Sequence, residues 1–149
     1  MKMNTILFPT DFSPTGRAAL GFAAALARDM EARLLIVYVK GPRMKYHGRA
    51  REDGSIEPLR HQLGRLLRKV IPSDGTVSYE HRIVSGDPVT SIVELAHKEG
   101  AGLIVMGTHG RSGISRLLMG SVTEGVVRTA DCPVVTFRQP TRMPMPEAC

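Results

Sequence analysis

Two textures alternate along the chain: short unbroken apolar runs, and longer stretches in which apolar residues recur at helical spacing. Ile6-Leu7-Phe8 is the first run and predicts a short buried strand emerging into the polar Pro9-Thr10-Asp11. Ser13-Pro14 then reads as an N-cap followed by proline at the first helical position, with Ala19, Leu20, Ala23, Leu26, Ala27 and Met30 forming one helical stripe. Leu34 to Val39 is a second unbroken strand. Gly41, Pro42, Gly48 and Gly54 mark a loop of about fifteen residues after it, long enough to be functional or mobile.

Pro58 opens a second helix striped by Leu59, Leu63, Leu66, Leu67 and Val70, and Ile71-Pro72 closes it. From Thr76 to Val84 apolar and polar residues alternate, which predicts a half-exposed strand at a sheet edge. Ser85-Gly86-Asp87-Pro88 starts a third helix on Val89, Ile92, Val93 and Ala96, which Gly100 stops. Leu103 to Met106 is a strand apolar on both faces. A last helix places Val122, Val126, Val127 and Ala130 on one face, and Pro133 introduces a final strand at Val134 to Phe137. Gln139 to Cys149, with three prolines, reads as a flexible C-terminal tail.

Five strands interleaved with four helices, without a hairpin signal, internal repeat or interdomain linker, predict a single α/β domain over residues 1–138. The expected architecture is a Rossmann-like, doubly wound five-stranded parallel sheet, right-handed, with helices on both faces. Such sheets bind ligands outside the carboxyl ends of the strands, where the strand order reverses. If the first and fourth strands are neighbours, Pro9-Thr10-Asp11 and the segment after Met106 face one crevice.

That segment carries the chemistry. Gly107 ends the strand, and Gly110, Gly113 and Gly120 can take positive φ and lack Cβ, so the backbone can curl closely around an anion. Ser121-Val122-Thr123-Glu124 reads as a capping box, with Ser121 as N-cap of a helix whose positive end points at the loop. Strand, glycine loop and helix N-terminus together suit phosphate.

Several alternatives fall on residue type. No lysine followed by Ser/Thr comes after the glycines, so this is not a Walker A loop, and the dinucleotide fingerprint would have to follow the first strand, where Pro9-Thr10-Asp11 stands instead. Ser13 occupies the position where a haloacid-dehalogenase-type phosphatase places its second aspartate, and response regulators also need an acidic pair there. Two cysteines, Cys132 and Cys149, are too few for a disulfide framework and suggest a reducing compartment. No apolar run approaches the ~20 residues of a membrane span, and no signal-type core follows the N-terminus, so a soluble cytoplasmic protein is expected.

The net charge of +6 is unevenly placed: Lys40 to Lys69 carries nine Lys/Arg against Glu52, Asp53 and Glu57. Such a segment can draw nucleic acid, anionic lipid or a phosphorylated ligand, although a solvated surface is the plainer reading. With three Tyr, four Phe and no Trp, the chain lacks the stacking platform of single-strand binders, which disfavours nucleic acid.

Gly107, two residues, Gly110, nine residues and then Gly120-Ser121, together with the PTDFS run of Pro9 to Ser13 and the ending Cys132-Pro133-Val134-Val135, resemble the universal stress protein family in its nucleotide-binding branch. The resemblance runs from Ile6 to about Thr136 and implies ATP or a related adenine nucleotide, with Mg following the nucleotide. By position, Pro9, Thr10 and Asp11 would hold adenine and ribose, Val39 would meet the base, and Met106 and Gly107 would floor the site. Gly110, Gly120, Ser121 and Val122 would wrap the phosphates, with His109 and Arg111 adding polar or positive groups. The resemblance also implies a homodimer through Val134 to Phe137, and an unknown protein partner. The basic loop is a departure, in which Arg43, Lys45, Arg49 or Arg51 could neutralise phosphate charge.

Each residue has a plainer role beside this one. Asp11 suits capping of the first helix, Ser121 suits an N-cap, and the glycines suit ordinary turns. His109 titrates near neutrality but more commonly faces solvent in a loop. His47, His61, His81 and His97 are scattered and suggest no metal cluster. The expected function is therefore an ATP-binding regulatory module with little or slow hydrolysis, since no residue evidently positions a water and no Walker-type Mg site is present. The alternatives are a weak ATPase or phosphotransferase using Asp11 or His109, and a nucleotide-free interaction module.

Overall fold

A computed structural model describes residues 3–13, 16–41, 49–50, 56–108 and 120–138. The elements run β1 (Thr5–Pro9), α1 (Gly16–Asp29), β2 (Arg33–Lys40), β3 (Arg49–Ala50), β4 (Ile56–Glu57), α2 (Leu59–Arg68), β5 (Tyr79–Ser85), α3 (Pro88–Lys98), β6 (Leu103–Gly107), α4 (Ser121–Thr129) and β7 (Val134–Phe137). The main sheet has five parallel strands in the order β5-β2-β1-β6-β7, so the chain winds outward from β1 in both directions.

Alternation along each central strand builds two separate cores. Ile6, Phe8, Leu34, Ile36, Leu103 and Val105 face α1 and α2, meeting Ala19, Ala23, Ala27, Leu63 and Leu67. Leu7, Leu35, Val37, Ile104 and Met106 face α3 and α4, meeting Ile92, Leu95, Ala96 and Val126. Each fully buried aliphatic side chain stabilises by about 1.5–3 kcal/mol, so β1, β2 and β6, buried on both faces, carry much of the stability. The alanine stripe of α1 lets that helix lie close against the sheet.

Helix ends follow local chemistry. Asp87 caps α3 by accepting from the Thr90 amide at 3.0 Å, with Pro88 at the first turn. At the far end Ala101 N–H donates to the Ala96 carbonyl at 2.9 Å while Gly100 takes φ 63°, a left-handed cap suited to glycine. The same closure ends α1, but there Glu31 holds the left-handed position at φ 52°.

Four sequence expectations need correction. The long loop after β2 contains a short antiparallel pair, Arg49–Ala50 with Ile56–Glu57; Asp53-Gly54, a strong turn dipeptide lying between them in sequence, was the missed hairpin signal. β5 begins at Tyr79 rather than Thr76, because the Asp74 carboxylate accepts from both the amide (2.9 Å) and hydroxyl (2.6 Å) of Thr76 and holds a turn there. Leu66, assigned to the apolar stripe of α2, is 42% exposed, one position before buried Leu67 and so about 100° off its line. Val127 is 45% exposed for the same reason, and Thr123 takes its place on the buried face of α4. The Pro14 position of the first cap and the tail 139–149 lie outside the described residues.

At the amino-terminal end of the sheet, Arg33 and Arg82 each pair with both Glu80 and Glu99, joining the starts of β2 and β5 to the end of α3. Arg82 and then Arg33 hold the Glu99 carboxyl below its ordinary range, and the Thr90 amide does the same for Asp87. A carboxyl with a lowered folded pKa binds fewer protons folded than unfolded. Its contribution is complete above the ordinary carboxylate values of about 4 and disappears as pH falls through the lower folded value. Melting temperature should therefore hold from pH 7 to about 5 and drop progressively toward pH 3. A Glu99→Gln, Asp87→Asn double variant should show a shallower drop, and an identical pH profile would contradict these assignments.

Packing between α3 and α4 supplies a second test. A Cβ on Gly125 would stand 2.6 Å from a Val89 methyl, and valine has little rotamer freedom with which to yield. Gly125→Ala should destabilise by about 1–3 kcal/mol in urea unfolding through overpacking, despite the better helix propensity of alanine.

Candidate functional site

β1 is paired with β2 over five positions, Thr5 to Pro9, but with β6 over only two, Ile6 with Leu103 and Leu7 with Ile104. Beyond that point Phe8-Pro9 and Val105 to Gly107 are not laddered to each other, and it is here, at the carboxyl ends where the strand order reverses, that a doubly wound sheet is expected to open a crevice. This is the switch point expected of a doubly wound sheet.

The β1 side of the crevice is a tight polar turn. Thr10 N–H donates to the Val37 carbonyl at 2.8 Å, extending the ladder one residue past β1. The Thr10 hydroxyl then accepts from the Phe12 amide at 3.1 Å, and the Asp11 carboxylate from the Ser13 amide at 2.9 Å. Phe12 is held at φ 64°, a conformation costing a non-glycine residue about 1–2 kcal/mol. Its ring stacks on Tyr38 at 4.7 Å, which offsets part of that cost. Asp11 thus sits in a turn of its own, with its second carboxylate oxygen unused by that bond.

The β6 side is fastened by threonines. Thr108 N–H donates to the Phe137 carbonyl at 2.8 Å, and the Thr108 carbonyl accepts from Gly120 N–H at 2.5 Å, so the chain leaves and re-enters at one point. The buried Thr123 hydroxyl donates to the Gly107 carbonyl at 2.8 Å, tying the first turn of α4 to the end of β6. The helix start is consequently fixed beside the strand end. Its first amides have no acceptor within the helix, as at any helix start.

The capping box does not form. Gly120 is the N-cap, Ser121 is the first helical residue, and the Glu124 carboxylate bonds Arg128 one turn on at 2.7 Å instead of reaching back. Glycine serves as N-cap without a side-chain bond, which leaves the exposed Ser121 hydroxyl outside the capping arrangement. Gly120 has φ −65° and ψ 154°, so the positive φ open to a glycine is not used here. Its lack of a side chain matters only for close approach of another group.

Val39, Met106 and Val122 pack into the apolar cluster on the α3/α4 face, while Pro9, Thr10 and Asp11 form the opposite lip. Gly107, Gly120 and Ser121 lie at the fastened end. The structure places these nine expected site residues at or beside the carboxyl ends of β1, β2 and β6 or at the start of α4. His109, Gly110, Arg111 and Gly113 lie outside the described residues. Sequence reading missed Thr123 as an anchor and Phe12 as the strained member of the turn. A polar residue at core spacing from Val126 was the signal for the first. Among the described residues no group of His, Cys, Asp or Glu could hold a metal ion. Burial raises the Cys132 thiol, which packs against the α3/α4-side core.

A doubly wound parallel sheet with a fixed helix N-terminus at its switch point defines a Rossmann-like α/β domain. The chain belongs to the universal stress protein family, whose sequence profile matches residues 2–138. It is 33% identical over 141 residues to a universal stress protein of Methanocaldococcus jannaschii, covering 92% of this chain and 83% of that protein. Among solved structures it is similar to UspA from Lactobacillus plantarum, with a TM-score of 0.71, 26% identity, and coverage of 93% and 99% of the two chains. It is also similar to a universal stress protein crystallised in complex with cAMP, with a TM-score of 0.68, 27% identity, and coverage of 93% and 98%.

Thr123→Val preserves shape but strips the Gly107 carbonyl of its partner. Unfolding should show a loss of about 1 kcal/mol, and hydrogen exchange should rise in the first turn of α4 relative to α3. Unchanged exchange there would mean that the anchor does not hold the helix start.

Proposed function

We propose that this protein binds an adenine nucleotide, ATP being the expected form, in the crevice between β1 and β6. It acts as a binding module whose occupancy alters its shape or its partners, and any hydrolysis is slow. The observation that carries this reading is the early parting of β1 and β6, with the start of α4 fastened beside the gap. A helix N-terminus supplies free amides and a positive dipole end to phosphate, and the apolar wall of Val39, Met106 and Val122 suits a base. Pro9, Thr10 and Asp11 would face the base and ribose, and the second Asp11 carboxylate oxygen is a natural acceptor for a ribose hydroxyl. Gly120, Ser121 and Val122, with Gly107 and the sequence-adjacent His109, Gly110 and Arg111, would hold the phosphates, with Mg arriving on the nucleotide. The similarity to a family member in complex with cAMP supports an adenine ligand.

The same reading includes a homodimer through β7. That strand forms one edge of the sheet, and Val134 to Phe137 are each half-buried in the single chain. An apolar edge strand of this kind is suited to pairing with a second copy.

Calorimetric titration of ligand-stripped protein with MgATP, beside a Gly120→Val variant, tests the site. Valine accepts the φ and ψ of Gly120, so the variant should fold with about 1 kcal/mol lost at the cap. Binding in the parent weakened by about a hundredfold or more in the variant is the expected result, corresponding to about 2.7 kcal/mol of excluded contact. No heat and no thermal stabilisation by ATP in the parent would overturn the reading.

A further inference from the structure

Asp11 is held from both sides by one neighbouring strand. Before it, Thr10 N–H donates to the Val37 carbonyl at 2.8 Å. After it, the Phe12 ring stacks on Tyr38, with centroids 4.7 Å apart and planes 17° from parallel. Val37 and Tyr38 are successive residues of β2, so the residue whose carboxylate stands at the lip is bracketed by two attachments to a strand buried over most of its length.

Phe12 reaches that stack only through an unfavourable backbone. Its φ of 64° lies in the left-handed region, which a residue with a Cβ occupies at a disadvantage of roughly five- to thirtyfold. The stack and the apolar surface it buries oppose that disadvantage. The dihedral matters to Asp11 because Phe12 stands between the carboxylate and the amide it holds: Asp11 Oδ1 accepts from Ser13 N–H at 2.9 Å. Turning φ back to the ordinary negative range carries the Ser13 amide elsewhere, and the carboxylate bonded to it loses this orientation.

The ring does this from the far face of the sheet. Phe12 and Tyr38 pack with the α1/α2-side core, whereas Val39, Met106 and Val122, the wall assigned to the base, belong to the α3/α4 side. Phe12 also borders a hollow of about 500 Å³ together with Leu20 and Val70, which gives the ring space to move into when the turn relaxes.

We propose that Phe12 is a positioning residue of the nucleotide site: its stack on Tyr38 keeps the turn in the left-handed conformation that aims the second Asp11 carboxylate oxygen at the sugar hydroxyls. This rests on the adenine-nucleotide reading above. The carboxylate is oriented before the ligand arrives, so a ribonucleotide gains a charge-assisted hydrogen bond without having to order the turn. A nucleotide lacking the sugar hydroxyls gains nothing from it. The site is thereby selective for the ribose form, and the selectivity is set by a side chain that does not touch the ligand.

Calorimetric titration of the full chain with the magnesium salts of ATP and 2′,3′-dideoxy-ATP tests this in the parent, Phe12→Ala and Phe12→Gly. Alanine keeps the strain of positive φ and loses the stack, whereas glycine loses both. The parent should prefer ATP by about tenfold or more, the value of a hydrogen bond to a charged group. Phe12→Ala should lose most of that preference, through weaker ATP binding at nearly unchanged dideoxy-ATP binding. Phe12→Gly should recover part of the preference, and without ligand it should melt at or above Phe12→Ala. A ring that only fills space predicts the reverse order, alanine above glycine, with both ligands weakened alike. Undiminished preference in Phe12→Ala, equal weakening of the two ligands, or a glycine variant poorer than the alanine variant overturns the positioning role and leaves the nucleotide reading standing. ATP binding by the parent without preference over the dideoxy form overturns the sugar contact of Asp11 and this inference with it, and no ATP binding by the parent overturns the nucleotide reading as well.

Discussion

The fold depends on a handedness constraint acting at one strand. Crossovers between parallel strands are right-handed, so a chain that starts in the middle of a sheet must place its early helices on one face and its later helices on the other. Here β1 is that starting strand, with β2 on one side and β6 on the other. The connections from β1 and β6 therefore leave toward opposite faces at the same end of the sheet. Among the described residues no element is drawn across the gap between them. The crevice is a consequence of winding direction, and the turn residues beside it, Pro9 to Asp11, are free of both cores.

What fills the margins of the gap follows from that freedom. On one lip, Thr10 and Asp11 satisfy successive amides of their own turn and hold Phe12 in a conformation that needs the stacking of Tyr38. On the other, Thr108 and Thr123 fasten the start of α4 to the end of β6. The Thr10 and Thr123 hydroxyls and the Asp11 carboxylate are short groups that bond the backbone directly, while Thr108 acts through its own amide and carbonyl. The opposite end of the sheet has no such gap. There Arg33, Arg82, Glu80 and Glu99 close the structure with alternating charge, so the two ends differ in chemistry as well as in shape.

Charge is distributed by a similar logic. The four ions at the amino-terminal end are mutually paired, so charge there makes structure.

The sequence by itself determined the elements and their class. Unbroken apolar runs at Leu34 and Leu103 required strands buried on both faces, alternation before Ser85 required an edge, and Asp87-Pro88 required a helix start; all of these are short-range consequences of period, propensity and capping. It also identified the glycine-containing segment and the family pattern that goes with it. Tertiary structure decided what local chemistry left open. Whether Ser121 or Gly120 capped α4 depended on Glu124 choosing Arg128, and whether Val127 or Thr123 faced inward depended on where the Gly107 carbonyl stood. The crevice itself depended on β1 and β6 parting after Leu7, a relation between residues nearly a hundred positions apart. Such pairings arise from how the sheet closes in space, and no local period encodes them.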